Sequence, residues 1–543
     1  MDFFYNRAED VVDEVLDGWS RLAPTARSAR ASGVRVIVDR DWSRDHVAVL
    51  SGGGAGHEPA HAGFVGRGML AAAIAGDLFT SPSVAAVLAG IRATCGPAGC
   101  LLVIKNYTGD RLNFGLAAER ARREGYRVRS VIVADDIALA GTDQPRGLAG
   151  TVLVHKIAGH VAADGADLDT VADTAQRVCD GLCSIGLALS SATLPGHAID
   201  PRAPELGLGI HNEPGVSAVA PRDAAEAMAL ALEPLLAAAD ARFGADVPMV
   251  VLLNNMGSCS TQEMGVLLDA LLSRLPAARV ARLITPAPVM TSLNMHGFSV
   301  TLLPAHDDFI EALASPVAAI GWPGMHIPHA VETFEPELDT REPARTGRRD
   351  AAREDAIRAV VDALIDARDE LDALDAKTGD GDTGATFAAG ARAVAAALDA
   401  GALASGDDAG LAEGIGDILA RDMGGSAGVL LSILATATGA GLNEGRDWAA
   451  ALAVGVERMR HYGGASPGDR TLLDALMPAI EALADNGDLT AAAAAARAGA
   501  DATARMTVAH AGRAAQVRAD ALTGVTDPGA EAIARIWAAL AQA

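Results

Sequence analysis

Three aspartates crowd one glycine turn in DALDAKTGDGDTGATF: Asp375, Asp380 and Asp382. Carboxylates this close repel one another unless a hard cation neutralises them. Mg²⁺ takes carboxylate oxygens together with phosphate oxygens, so the turn reads as half of a metal–phosphate site. It also suits a solvated acidic loop that holds no ion. An EF-hand starting at Asp380 is excluded, because the glycine expected inside such a loop is Ala385 and its closing glutamate is Ala391. The helix expected after Gly384 offers unpaired amides to a phosphate. MGGSAGVLL, GASPGDRTLLDAL and TDPGA are further polar turns that open helices. Taken with the carboxylates, they describe a nucleotide-phosphate and metal site.

A second group of chemistry-bearing residues lies in the first half of the chain. VAVLSGGGAGHEPAHAGFVGRG joins a strand to a helix through Gly52, Gly53, Gly54 and Gly56, either as a cradle for a polar ligand or as a tight turn. It lacks the GK[ST] of a P-loop. Within it, His57-Glu58-Pro59-Ala60-His61 matches the HExxH zinc-protease pattern. That pattern needs both histidines on one continuous helix, and the flanking glycines and internal proline forbid one. His57 is better placed as an acid/base or ligand-binding group. LLVIKNYTGDRLNFG ends a buried strand at Lys105 and continues into Asn106, Tyr107, Thr108 and Asp110. Open α/β sheets bind ligands at the carboxyl ends of strands, so Asp110 suits an acid/base and Lys105 an oxygen-binding role. In ELGLGIHNEPG, His211 follows a short apolar run; its imidazole suits attack on a carbonyl carbon, or a structural role.

The elements that must carry these residues follow from the pattern of apolar runs. Of 44 basic residues only Lys105, Lys156 and Lys377 are lysines, each in a glycine-rich stretch, which points to compact-ammonium roles that arginine cannot fill. Apolar, β-branched runs at 34–38, 47–50, 101–104, 128–133, 249–253, 280–284 and 299–303 alternate with helical stretches, the pattern of an α/β sheet domain. Residues 331–350 read as a polar linker. From 351 onward the chain is Ala/Leu-rich and helical, with about eight segments and no convincing strand. The domain boundaries are therefore 1–330, 331–350 and 351–543. A length of 543 residues fits more than one core, and the net charge of −25 argues against nucleic acid and anionic membranes as partners. The acidic N-terminus is unlike a signal peptide, no apolar run reaches a membrane span, and five scattered cysteines resemble neither a disulfide framework nor a zinc site. The expected location is cytoplasmic.

Read together, GGGxGHEPAHAGxVG, KNYTGDxxNFG, GIHxEPG, LDxxxGDGDTG, MGGSxG, GDRTxLDAL and DPGA occur in order over nearly the whole chain. The chain thereby closely resembles the single-chain, ATP-dependent dihydroxyacetone kinases. The resemblance implies an N-terminal K-type substrate domain of α/β architecture, followed by an L-type barrel of eight antiparallel helices. It implies that His211 holds the ketone as a covalent hemiaminal while His57 and Asp110 act as acid/base. Gly54, Ala55, Gly56 and Lys105 would line the substrate pocket. Asp375, Asp380 and Asp382 would hold two Mg²⁺ ions on ATP. Thr383, Gly384, Ala385, Thr386, Ser426, Ala427, Gly468, Arg513, Asp527, Pro528 and Gly529 would surround the nucleotide. Family members dimerise, with the helical domain of one chain over the substrate domain of the other.

Two positions depart from the family motifs: Asn212 replaces a glycine after the histidine, and Ala427 replaces a second serine. Asn212 keeps open a kinase of erythrulose or another short ketose or aldehyde such as glyceraldehyde, and some relatives also cyclise FAD. A phosphotransferase subunit fed by a phosphoprotein is disfavoured by the fused domains and by Thr383, where that type carries histidine. A ketone sensor is disfavoured by the intact aspartate set.

Overall fold

The computed structural model describes residues 3–23, 26–31, 33–139, 144–197, 203–336 and 347–543. It divides into two compact units, Met1–Thr333 and Phe334–Ala543. Of the stretch read as a linker, residues 337–346 lie outside the described residues.

The first unit is built on two six-stranded sheets. One contains β1 (Ala26–Ala31), β2 (Val34–Asp39), β3 (Ala48–Ala55), β4 (Ala72–Leu78), β5 (Cys100–Lys105) and β6 (Val128–Val133), in the order β1-β2-β4-β3-β5-β6. The pairs β4/β3, β3/β5 and β5/β6 are parallel, and every residue of β3 and β5 is buried. Such continuous apolar runs are what a sheet covered on both faces requires. The other contains β7 (Cys183–Ser190), β8 (Glu205–Leu206), β9 (Ser217–Ala218), β10 (Met249–Asn255), β11 (Val280–Ala287) and β12 (His296–Pro304), in the order β11-β10-β12-β7-β8-β9. All seven runs expected as strands are strands. Among the longer strands, β1, β4 and β7 lack that signal: β1 reads ARSARA, while AAIAGDL and CSIGLALS are made mostly of small residues. Their pairing comes from neighbours in the sheet rather than from local preference.

The second unit is all-helical among the described residues, as expected. Its long helices are Ala351–Asp366, Thr383–Asp399, Asp408–Asp422, Gly425–Asn443, Trp448–Gly463, Leu473–Asn486, Leu489–Thr503 and Pro528–Gln542. Each packs on the next and the last packs on the first, which closes a ring. Five of them start on an aspartate N-cap (Asp350, Asp407, Asp447, Asp488 and Asp527) that accepts backbone amide hydrogen bonds. The Ala-rich tract forms a helix whose Ala492, Ala496 and Ala500 are fully buried, so close backbone approach replaces large side chains. Gly425–Asn443 is the one helix, among the described residues, long and apolar enough to cross a membrane; here it packs between its two ring neighbours.

Lys156 departs from the lysine expectation. Its fully buried ammonium donates to the Ala312 carbonyl (2.5 Å) and to Ser315 Oγ (2.6 Å), closing the end of helix Asp307–Ala314. Burial pulls its pKa down to about 8. That is a structural cap, not a ligand site. Lys156→Ala is expected to lower stability by about 2–4 kcal/mol, through lost packing and orphaned acceptors. Chemical unfolding of the variant beside the unsubstituted protein checks it.

Candidate active site

In the first unit, a cavity of about 480 Å³ opens at the carboxyl ends of β3 and β5. Gly54, Phe79, Ser81, Tyr107, Asp110 and His211 are among the residues that line it. Gly54 must be glycine, since a Cβ there would lie 2.6 Å from the Thr80 amide nitrogen and close off the loop that forms one wall.

His57 follows β3 and is fully buried. Its Nδ1 lies 2.8 Å from the Thr291 carbonyl, which only accepts, so Nδ1 carries the proton. Burial, then the neighbouring His211 and Lys105, hold this imidazole well below its ordinary pKa. His57 is therefore neutral and its Nε2 is a lone-pair acceptor. His211 Nε2 sits 3.0 Å away and donates to it. The His211 ring is boxed edge-on by Phe79 and Tyr107, with ring centroids 5.4 and 4.4 Å from its own.

The backbone that carries His211 is pinned from several sides. Glu213 Oε2 accepts from the His211 amide (3.0 Å), and its Oε1 faces His211 Nδ1 at 3.4 Å. Ser292 Oγ donates to the Ile210 carbonyl at 2.6 Å. Buried Arg146 pairs with Asp136 and donates to the Gly207 carbonyl. Asn212 sits at φ +65°, a left-handed conformation that asparagine tolerates. Its amide exchanges two hydrogen bonds of 2.8 Å with the Ala192 backbone. Asn212 thus clamps its loop to the end of β7 and is not among the cavity-lining residues.

Asp110 lies in the first turn of helix Thr108–Arg123. Its Oδ1 accepts from Ser81 Oγ at 2.5 Å, and its Oδ2 faces Lys105 Nζ at 3.8 Å. Lys105 is wholly buried beneath the cavity, and Ala55, Gly56 and His57 stand behind its wall rather than lining it. The two histidines of the HExxH-like stretch take separate partners: His57 faces Thr291 and His211, whereas His61 faces His155 and Lys105.

In the helical unit, a cavity of about 860 Å³ is lined by Asp375, Asp380, Asp382, Thr383, Thr386, Ser426, Ala427, Arg513, Asp527, Pro528 and Gly529, among others. Carboxylate oxygens of the three aspartates lie within 4.8 Å of one another. Asp375 Oδ2 accepts the amides of Gly381, Asp382 and Thr383, which shapes the turn. Arg513 pairs with Asp380. Three clustered carboxylates beside a helix N-terminus fit a hard cation carrying phosphate oxygens. Gly384, Ala385 and Gly468 stand outside this lining. A Gly384 Cβ would lie 1.9 Å from the Arg368 carbonyl oxygen, the Ala385 amide donates to Asp372, and the Gly468 amide donates to Asp474. Sequence reasoning missed Glu213, Ser81, Phe79 and Thr291; only Glu213, two residues after His211, carried a local signal.

One cavity on sheets carries histidines and a carboxylate, and one in a helical ring carries a carboxylate cluster suited to a metal-bound phosphate, a pairing that suits a phosphotransferase. The chain matches the Dak1 domain over residues 18–321 and the DAK2 domain over residues 377–542. It is 44% identical to the dihydroxyacetone kinase of Citrobacter freundii over 99% of each chain. It is 37% identical to the triokinase/FMN cyclase of Bos taurus, over 98% of this chain and 97% of that one. The crystal structure of the Citrobacter freundii dihydroxyacetone kinase in complex with AMP-PNP and Mg²⁺ aligns with a TM-score of 0.77 at 42% identity, covering 100% of this chain and 99% of the other. The chain belongs to the dihydroxyacetone kinase family and is an ATP-dependent, Mg²⁺-using kinase.

Asn212→Ala removes two hydrogen bonds and leaves a strained φ, a loss of about 2 kcal/mol of loop order. The expected result is a fall of about tenfold in ketone kcat/KM with the KM for ATP unchanged. Asp382→Asn is expected to raise the Mg²⁺ concentration for half-maximal activity by at least about tenfold; a Mg²⁺ titration at fixed ATP checks it.

Proposed function

We propose that the chain phosphorylates dihydroxyacetone with ATP and holds the ketone on His211 as a hemiaminal. The observation that carries this reading is the His57–His211 nitrogen pair at 3.0 Å, with Asp110 in the wall of the same cavity. Moving the shared proton onto His57 frees the His211 Nε2 lone pair. As the Nε2–carbon bond forms, the carbonyl oxygen takes that proton from His57 and becomes a hydroxyl. Only a carbonyl compound can be held this way, so a polyol of the same size is rejected. A ketone of three carbons offers little binding surface, and the covalent tether supplies the alignment that contacts cannot.

Phosphoryl transfer then follows ordinary chemistry. A terminal substrate hydroxyl attacks the γ-phosphorus, its proton passes to Asp110, and the bond from that phosphorus to the departing ADP oxygen breaks. Two Mg²⁺ ions held by Asp375, Asp380 and Asp382 would neutralise the triphosphate. Thr383, Thr386, Ser426, Arg513 and the Asp527–Gly529 turn suit contacts to the nucleotide. The family resemblance supports a homodimer in which the helical unit of one chain serves the α/β unit of the other. All five cysteines are free thiols, which supports a reducing, cytoplasmic location.

Coupled ADP-release assays test the reading. Dihydroxyacetone is expected to exceed D- and L-erythrulose in kcat/KM, glycerol to be inert, and His211→Ala to lose at least about 100-fold on the ketone. Glycerol turnover equal to that of dihydroxyacetone contradicts the tether. Faster turnover of erythrulose reassigns the substrate to a four-carbon ketose.

A further inference from the structure

Behind the cavity lies a buried chain of polar groups that the mechanism above does not use. Lys105 Nζ is 3.2 Å from the Gly52 carbonyl, 2.9 Å from His61 Nε2 and 3.8 Å from Asp110 Oδ2. His61 Nδ1 is 3.0 Å from His155 Nε2. Lys105 and His155 are fully buried and His61 nearly so. The missing side chain of Gly53 makes room for this geometry, because a Cβ there would lie 2.4 Å from Lys105 Nζ and 3.5 Å from Asp110 Oδ2.

The direction of every hydrogen bond follows from chemistry. An ammonium only donates, so His61 accepts at Nε2 and carries its proton on Nδ1. That proton is donated to His155 Nε2, which places the His155 proton on Nδ1, where it finds no partner. Burial, reinforced by the Lys105 charge, keeps both rings well below the ordinary histidine pKa, so both stay neutral. Burial also pulls Lys105 down, against the opposing pull of Asp110. The titratable groups facing Lys105 are Asp110 from helix Thr108–Arg123 and the neutral rings of His61, His155 and His57. Asp110 faces Lys105 and accepts from the Ser81 hydroxyl.

We propose that His61 and His155 are positioning residues: they lock Lys105 in the orientation that presents its charge to Asp110, the group that takes the hydroxyl proton. Two neutral imidazoles suit this task better than carboxylates. A carboxylate in place of His61 would neutralise Lys105 and compete with Asp110 for it. A neutral ring accepts one N–H, leaves the charge intact and passes its own orientation to a second ring locked in the core.

The proposal rests on the kinase reading, so wild-type turnover is measured first; no phosphorylation of any short ketone overturns both. The kcat and KM for dihydroxyacetone are then compared across His61→Leu, His61→Gln and His155→Leu. In His61→Leu kcat is expected to fall by about tenfold, because Lys105 loses the acceptor that orients it, while KM for ATP stays unchanged. His61→Gln keeps one acceptor for Lys105 and one donor for His155, and it is expected to restore kcat. His155→Leu is expected to fall between them. An unchanged kcat in His61→Leu, or the same loss in Leu and Gln, overturns the proposal. ¹⁵N-histidine NMR of the wild type reads the chain directly: both rings are expected neutral and Nδ1-protonated at pH 6. An imidazolium, or a proton on His61 Nε2, overturns it whether or not the variants fold.

Discussion

Two imidazole nitrogens set 3.0 Å apart cannot both present lone pairs, nor both carry protons, so one proton must lie between His57 and His211. The Thr291 carbonyl decides which ring owns it, by binding His57 at the opposite nitrogen. Much of the first unit reads as scaffolding for that contact. β3 delivers His57 through a glycine run that admits the Phe79–Ser81 wall, and β5 delivers Lys105 and the helix of Asp110. The His211 segment reaches the same point only because Glu213, Ser292, Arg146 and Asn212 hold its backbone.

The helical unit answers a different physical problem, that of gathering negative charge without scattering it. Asp375 spends one carboxylate oxygen on three loop amides, which keeps Asp380 and Asp382 close to it. Asp527, in the lining of the same cavity, caps helix Pro528–Gln542, and burial raises its pKa to about 6 while Arg470, 3.9 Å away, pulls the other way. The clustered carboxylates make this a cavity for a cation-bearing ligand rather than for a bare anion.

The chemistry was more legible in the sequence than the packing. His57, Asp110, His211 and the three aspartates stand in contiguous motifs, and a motif survives without knowledge of the fold. Strands such as Val128–Val133 were legible because β-branched residues dominate them. β4 and β7 were not, since alanine, glycine and serine carry no strand preference of their own. Thr291 lies 234 residues from His57, and no local pattern can announce such a partner. Lys156 shows the converse: a rare residue in a motif-like stretch proved to be a helix cap. Asn212 looked like a pocket residue, yet its amide faces the Ala192 backbone.

The covalent tether is the claim on which the rest of the mechanism turns, and dihydroxyacetone labelled with ¹³C at the carbonyl tests it without any need for turnover. On mixing with the protein, the bound carbon is expected to leave the carbonyl region of the ¹³C spectrum and appear among sp³ carbons bearing oxygen and nitrogen. It should stay in the carbonyl region with His211→Ala. A bound ketone that keeps its carbonyl resonance in the wild-type protein would contradict capture by His211.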